Sequence, residues 1–324
     1  MNVLITGGAG FIGSNLVDRL QSRHQVVVFD DFNDFYDPSI KERNTSGFQA
    51  SVQIVRGDLV DATAVKALFD EYGPFDQIVH LGARAGVRPS IQSPQLYLDT
   101  NVTGTLHLLE AIRRAGKGKF VFASSSSVYG LAELPFTESM ALTQTISPYA
   151  ATKLAAEQLC ATYAHLYQIP TVALRFFTVY GPRQRPDLAI HKFAKKMLAG
   201  ESIPVFGDGS TRRDYTFVSD IIDGIEAAMA YQGPIFDIFN LGESQTIQLS
   251  ELIATLESVL GCEAQIDRQA EQPGDVPATW ADITKARQRL GYAPSTTLRE
   301  GLEQFATWLR EEQPRLASPS TSGA

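Results

Sequence analysis

Cysteine is nearly missing from this chain: only Cys160 and Cys262 occur among 324 residues, and neither stands at metal-ligand spacing. That excludes a disulfide framework and a cysteine-based metal site, and no metal is expected. Both cysteines are expected to be reduced and structural. No apolar run approaches the ~20 residues that a bilayer-crossing helix needs. There is no long basic block, and the net charge is −8. This argues against general nucleic-acid binding while leaving room for a local basic pocket. There is no internal repeat. A strand pattern begins at Asn2, which leaves no place for a signal peptide, so a cytoplasmic protein is expected. The stretch from Gln313 to Ala324 is rich in Pro, Ser and Gly and is expected to be a disordered tail.

What is present is apolar punctuation of a regular kind. Short, nearly continuous β-branched runs predict strands at Asn2–Thr6, Gln25–Asp30, Val52–Arg56, Asp76–His80, Lys119–Ala123 and Thr171–Phe176. Such runs suit a parallel sheet covered on both faces. Helical patterns at Phe11–Ser22, Ala62–Tyr72, Pro94–Ala115 and Pro148–Tyr167 alternate with them. The alternation implies an α/β class, a doubly wound parallel sheet of Rossmann type. After about Gly181 the spacing changes, with prolines at 182, 186 and 204 and glycines at 207 and 209. Further helices are expected at Leu188–Ala199, Val218–Tyr231, Leu249–Leu260 and Leu298–Glu312. Residues 1–181, with later segments near 213–240, are expected to form the dinucleotide-binding domain. Residues 182–312 would form a smaller, mixed α/β substrate domain.

The first loop identifies a ligand class. Thr6-Gly7-Gly8-Ala9-Gly10-Phe11-Ile12-Gly13 follows a strand and opens a helix. Glycines at 7, 10 and 13 let the backbone turn tightly and approach a pyrophosphate, which the helix N-terminus then attracts. The second strand ends at Asp30, whose carboxylate can accept from both hydroxyls of an adenosine ribose and would repel a 2′-phosphate. NAD is therefore favoured over NADP. Asp31 and Asn33 are either ribose contacts or solvated loop residues, and Asp58 and Leu59 are placed to meet the adenine. His80 is read as a packed strand-end residue.

A second cluster supplies chemistry. Tyr149 and Lys153 are one helical turn apart and share a helix face. A neighbouring ammonium lowers the pKa of a tyrosine, which at ~10 is otherwise a poor base at neutral pH. A serine of the run Ser124-Ser125-Ser126-Ser127 would hold the substrate oxygen whose proton the tyrosine takes. This is equipment for moving a hydride off an alcohol carbon.

These segments resemble the extended short-chain dehydrogenase/reductase family, and within it the nucleotide-sugar epimerases, most of all the UDP-glucuronate 4-epimerases. The resemblance runs from about Asn2 to Trp308. It is carried by the glycine loop, His80-Leu81-Gly82-Ala83, Ser124 to Gly130, Tyr149 to Lys153, Arg175 to Pro182 and Arg213-Asp214-Tyr215. Ala85-Gly86-Val87-Arg88, Arg185-Pro186-Asp187-Leu188-Ala189 and Gln272-Pro273-Gly274-Asp275 point to the glucuronate subgroup, Gln272 standing where neutral-sugar epimerases usually carry arginine. Gly82 departs from the family's usual alanine and is expected to enlarge the space near the cofactor slightly.

The resemblance implies tightly held NAD, regenerated in each cycle. Ser125, Tyr149 and Lys153 would be catalytic, and Leu81, Ala83, Arg84, Asn101 and Phe176 would be further cofactor contacts. Arg88, Arg185 and Arg213 would hold the diphosphate, and Asp275 the uridine ribose. Gly86, Val87 and Ala189 would also meet the substrate. Phe193 and Phe206 are either uracil contacts or core. Related 4,6-dehydratases carry an acidic pair where Ser126 and Ser127 stand, so dehydration is disfavoured. Ser125, Ser126, Ser127 and Thr178 would instead cradle the sugar carboxylate, the alternative being that Ser126 and Ser127 merely satisfy backbone groups. The competing substrates are UDP-glucose and UDP-N-acetylglucosamine. A nucleotide-sugar decarboxylase is a more distant reading, and an NAD-sensing protein without catalysis more distant still. Relatives pair as homodimers through the helices matching Pro94–Ala115 and Pro148–Tyr167. The leucines of those helices face either a partner or the sheet.

Overall fold

The computed structural model describes residues 1–270 and 275–317, with side chains through 312. Strands β1 (Asn2–Thr6), β2 (Gln25–Asp30), β3 (Gln53–Arg56), β4 (Gln77–His80), β5 (Lys119–Ser125) and β6 (Thr171–Phe176) alternate with helices. A seventh strand, Phe236–Leu241, pairs in parallel with β6 along its whole length. The sheet order is Phe236–Leu241, β6, β5, β4, β1, β2, β3, and every pairing is parallel. The order reverses beside β1, so the carboxyl ends of β1 and β4 border the crevice where such sheets bind ligands.

Both faces are covered, which explains the unbroken apolar strands. In β1, Val3 and Ile5 belong to one buried cluster and Leu4 to the other. The alternation of faces is ordinary; the absence of any exposed face removes the polar alternation that a half-buried strand would show.

Most sequence-predicted elements are present within a residue or two, and Ala62–Tyr72, Pro148–Tyr167 and Leu249–Leu260 have the expected limits. The expected helix Pro94–Ala115 instead contains a π turn, Asp99–Thr103, between Pro94–Leu98 and Gly104–Ala115. Such turns are rare and are frequently found at functional sites. Here Asn101 leaves the regular ladder and its Oδ1 accepts from the Arg84 backbone N–H at 2.8 Å. The next turn needs Gly104, because a Cβ there would stand 2.8 Å from Cβ of Leu59. The last helix, Leu298–Ala317, continues into the stretch expected to be a tail from Gln313. Residues 318–324 of that stretch, and Gln272, Pro273 and Gly274, lie outside the described residues.

From Thr178 onward short strands hold the chain over the carboxyl end of the sheet. Thr178–Tyr180 pairs with Tyr215–Phe217, and Arg212–Arg213 with Ile247–Gln248. Their junction is fixed by Asp214, which is fully buried. Its carboxylate accepts from the backbone N–H groups of Glu243 (2.7 Å), Ala281 (3.0 Å) and Ser244 (3.1 Å). Burial pushes this carboxyl up to about 6, while those three donors work in the opposite direction. Asp214→Ala leaves all three donors without their carboxylate, and we expect a loss of roughly 3–5 kcal/mol in urea unfolding. Asp214→Asn keeps an acceptor oxygen and should lose less.

Candidate active site

The glycine loop shows why it needs glycine. Gly7 has φ +70°, and a Cβ on Gly13 would lie 2.2 Å from the Gly7 carbonyl oxygen. The helix Phe11–Leu20 can therefore start directly beneath the loop with its free N–H groups turned outward. Asp30 is 6% exposed and braces the loop: Oδ2 accepts from Ala9 N at 3.1 Å and Oδ1 from Phe32 N at 2.9 Å. Gly82 does not open space. A methyl there would stand 3.0 Å from Leu59 Cδ1 and 3.2 Å from Gly7 N, so the glycine permits close packing instead.

A cavity of about 630 Å³ runs from this loop to the C-terminal half. Of the residues expected to hold the dinucleotide, Gly7, Gly10, Phe11, Ile12, Gly13, Asp30, Asp31 and Asn33 line it. So do Asp58, Leu59, Leu81, Ala83, Arg84 and Phe176. Of those expected at the substrate, Gly86, Arg88, Ser125 and Thr178 line it, with Arg185, Ala189, Phe193, Arg213 and Asp275. Val87, Asn101, Ser126 and Ser127 are not part of the wall. Asn101 stands behind it, donating from Nδ2 to the Arg84 carbonyl and to Thr152 Oγ1, both at 3.0 Å. Ser127 N donates to Ser125 Oγ at 3.2 Å at the start of a 3-10 turn. Phe206 lines the cavity and lies 4.4 Å beneath the Arg88 guanidinium.

Tyr149, Lys153 and Glu157 follow one another at helical spacing on Pro148–Tyr167. That helix starts at Pro148, and the Ser147 hydroxyl accepts from Ala150 N at 3.2 Å. Tyr149 and Lys153 reach the cavity beside Ser125. The tyrosine differs from expectation in one respect. Burial raises its pKa, and the Ser125 hydroxyl and the Arg185 charge work against this. Lys153 Nζ is turned to the Ala123 carbonyl at the end of β5, 2.8 Å away. Burial lowers Lys153 to about 8, and the nearby Glu157 carboxylate works in the opposite direction.

Beneath these groups lies a buried charge network. Arg175 Nε and Nη2 donate to the two Glu157 oxygens at 2.9 and 2.7 Å, and the Ser124 hydroxyl donates to the same carboxylate. His80 is held on both sides, by Thr6 Oγ1 at 2.7 Å and Thr105 Oγ1 at 3.0 Å. Thr105 Oγ1 donates to the Asn101 carbonyl, so Nε2 of His80 carries the proton and Nδ1 accepts from Thr6. Burial lowers His80 to about 3, and it stays neutral.

The arginines are paired in advance. Arg185 grips Asp187 with Nε (2.9 Å) and Nη2 (2.6 Å), and Arg88 Nη2 donates to Asp275 at 2.6 Å. Sequence reasoning missed Lys41, Phe35, Tyr36, Thr100 and Asp187 in the wall. Only Asp187 had a visible signal, its place in the Arg185 segment.

The cradle fits NAD. The glycine contacts leave no room for side chains where a pyrophosphate would lie, and Asp30 offers an acceptor at the end of β2. Any turnover that needs the Lys153 ammonium should fall as pH rises through about 8. Glu157→Gln removes a charge that favours the ammonium and leaves Arg175 opposing it, so the alkaline limb of the rate profile should move to lower pH. The check is kcat against pH for both proteins.

A model of the family described as GDP-mannose 4,6 dehydratase matches residues 4–305. A UDP-glucuronate 4-epimerase of Thermodesulfobacterium geofontis is 38% identical over 312 residues, 95% of this chain and 96% of that protein. The crystal structure of the Bacillus cereus UDP-glucuronic acid 4-epimerase, in complex with UDP-glucuronic acid and NAD, aligns with a TM-score of 0.90. The two are 37% identical, with 96% of this chain and 99% of that one covered. The Thermotoga maritima UDP-glucose 4-epimerase with UDP-glucose aligns at 0.88 and 31% identity, covering 96% and 99%. With its glycine cradle, its Ser125–Tyr149–Lys153 cluster and this match over nearly the whole length, the chain belongs to the GDP-mannose 4,6-dehydratase family of short-chain dehydrogenase/reductases.

Proposed function

We propose that this protein is an NAD-dependent UDP-glucuronate 4-epimerase, interconverting UDP-glucuronate and UDP-galacturonate. The observation that carries the reading is the meeting in one cavity of a dinucleotide cradle, the Ser125, Tyr149 and Lys153 side chains, and three arginines from separate segments. Relatives over the full length carry this activity.

NAD supplies the acceptor, and later the donor, of the C4 hydride. Ser125 holds the 4-oxygen, and Tyr149 takes its proton while the hydride leaves C4. Arg185 and the Ser125 hydroxyl stabilise the phenolate form that this requires. After the 4-keto sugar has turned over in the cavity, Tyr149 returns the proton as the hydride arrives on the other face. It is base and then acid in one cycle. Lys153 holds the cofactor's ribose with an ammonium that is already anchored on Ala123 O. Arg88 and Arg213 meet the diphosphate from opposite segments; the planar guanidinium suits bidentate phosphate contacts. Asp275, close to both, is assigned to the uridine ribose, and Phe193 and Phe206 to the uracil.

The keto intermediate is a β-keto acid and can lose CO₂. The Ser125 and Thr178 hydroxyls, both in the wall, are assigned to hold the carboxylate out of the geometry that favours this loss. Ser126 and Ser127, the next two residues, would join them through a small shift of the 3-10 turn. The same positions carry no acid, so neither elimination nor acid-assisted decarboxylation is provided for.

A homodimer through Pro94–Ala115 and Pro148–Tyr167 is part of this reading. Leu96 (42%), Leu98 (45%) and Leu166 (60%) are exposed on these helices, while Leu109 is buried against the sheet. No helix among the described residues is long and apolar enough to cross a membrane.

The test is incubation of the purified protein with UDP-glucuronate, without added NAD, followed by proton NMR. UDP-galacturonate that retains the substrate's C4 proton is the expected product. Turnover of UDP-glucose or UDP-N-acetylglucosamine alone would overturn the glucuronate assignment. Thr178→Ala should raise the ratio of CO₂ and pentose side-product to epimer, and an unchanged ratio would remove Thr178 from the carboxylate clamp.

A further inference from the structure

The short helix Pro94–Leu98 is turned against its own composition. Leu96 and Leu98 are exposed, while Tyr97 between them is 1% exposed. The helix packs on Pro148–Tyr167, which carries the catalytic tyrosine. A buried tyrosine brings a hydroxyl that has to be met, and phenylalanine would fill nearly the same volume without that demand.

Two contacts account for Tyr97. Its ring stands edge-on to the Tyr149 ring, at 81° with 6.2 Å between the ring centres. Its hydroxyl donates to the Ala85 carbonyl at 3.2 Å. Ala85 and Gly86 lie just ahead of the helix Val87–Gln92 and line the cavity, and Gly86 has φ +122°, a backbone conformation that suits glycine. The same Ala85 carbonyl receives a second donor, Arg185 Nη2, at 3.3 Å. A carbonyl oxygen has two lone pairs, and both are engaged here. Burial pushes Tyr97 up to about 12, so it stays protonated and remains a donor.

The helix backbone fixes where the Tyr149 side chain starts. The side-chain torsions still have several staggered settings, and something must select one. The selection matters, because a misplacement of about 1 Å can cost a hundredfold in rate. A second ring at edge-to-face distance is a suitable stop. Resting on the epimerase reading above, we propose that Tyr97 is a positioning residue with two separable parts: its ring sets the resting place of the Tyr149 ring, and its hydroxyl, together with Arg185, fixes the Ala85-Gly86 turn of the substrate wall. The ring then acts on the chemical step and the hydroxyl on the binding of the sugar nucleotide.

The experiment measures kcat and KM for UDP-glucuronate, with the NAD carried per chain, in wild type, Tyr97→Phe and Tyr97→Leu. Tyr97→Phe keeps the ring, so KM should rise about two- to tenfold, the scale of one hydrogen bond, with kcat within about twofold of wild type. Tyr97→Leu should show the same rise in KM and a fall in kcat of about tenfold or more. Bound NAD should be unchanged in both. A wild-type kcat in Tyr97→Leu would overturn the proposal, as would equal falls in kcat for the two variants. A loss of bound NAD that matches the loss of turnover would also overturn it, since that means a purely structural tyrosine. An unchanged KM in Tyr97→Phe would remove the hydroxyl from it. Should Tyr97→Leu not fold, Tyr97→Met makes the same comparison. Wild-type protein that turns over only UDP-glucose or UDP-N-acetylglucosamine would overturn the substrate assignment instead, and the same kcat and KM comparison on that sugar then decides the role of Tyr97.

Discussion

The contact between Glu157 and Arg175 is the constraint on which the rest of the site depends. Both side chains are buried, at 0% and 3% side-chain exposure, and paired at 2.7 Å. Desolvating two charges costs several kcal/mol each, so such a pair is weak evidence for stability in itself. It survives because every polar atom is used. Ser124 donates to Glu157, Arg175 Nη1 donates to the Tyr129 hydroxyl at 2.9 Å, and that hydroxyl donates to Asn240 Oδ1 at 2.6 Å. Asn240 Nδ2 then reaches the carbonyls of Phe136 (2.9 Å) and Asp282 (3.1 Å). One chain of hydrogen bonds thus joins β5, β6, the tyrosine helix, the seventh strand and the segment near 282. A partly satisfied version would be worse than an apolar core, which leaves the participants a single arrangement. Ser125, next to Ser124, and Tyr149 and Lys153, two turns and one turn before Glu157, inherit their places from it.

The strands were legible in the sequence because the sheet is covered on both faces. Val26 to Phe29 are all buried, and an unbroken apolar run of that length has few other uses. The seventh strand was harder to read. Phe236–Leu241 carries Asp237 and Asn240 among its apolar residues, engaged by the Lys285 ammonium and the Tyr129 hydroxyl respectively, both distant in sequence. The helix Pro38–Thr45 was invisible to periodicity because it buries Lys41, Asn44 and Thr45; the available signal was Asp-Pro as cap and first residue. The π turn at Asp99–Thr103 could not be read at all, since the side chain of its Asn101 is engaged by the Arg84 backbone outside the helix.

The candidate site was legible to the same extent, and for the same reason. Residues whose role depends on local backbone, such as Gly7 and Gly13, or on helical spacing, such as Tyr149 and Lys153, could be placed from sequence. The partners chosen by tertiary structure could not. The spacing of Tyr149 and Lys153 suggested charge tuning; it did not show that Lys153 donates to Ala123 O, or that Ser125 and Arg185 act on the phenol. Spacing puts two residues on one face; it does not say which way a four-carbon side chain will turn once a carbonyl is within reach.

Charge balance ties these particulars together. The cavity wall holds Lys41, Arg84, Arg88, Arg185 and Arg213, a concentration of positive charge that a buried space could not tolerate unopposed. Asp30 and Asp31 face Lys41, Asp31 faces Arg84, Asp187 grips Arg185 and Asp275 holds Arg88. Arg213 has backbone carbonyls as hydrogen-bond partners, Arg212 O at 2.9 Å and Pro277 O at 3.5 Å, and burial lowers its pKa. An anionic ligand entering such a wall does not meet bare charge. It exchanges with aspartates already in place, and the net gain of each contact is the difference between two ionic partners. Discrimination then follows from geometry: a diphosphate or a sugar carboxylate is favoured only where its oxygens fit the guanidinium fork better than the resident carboxylate does.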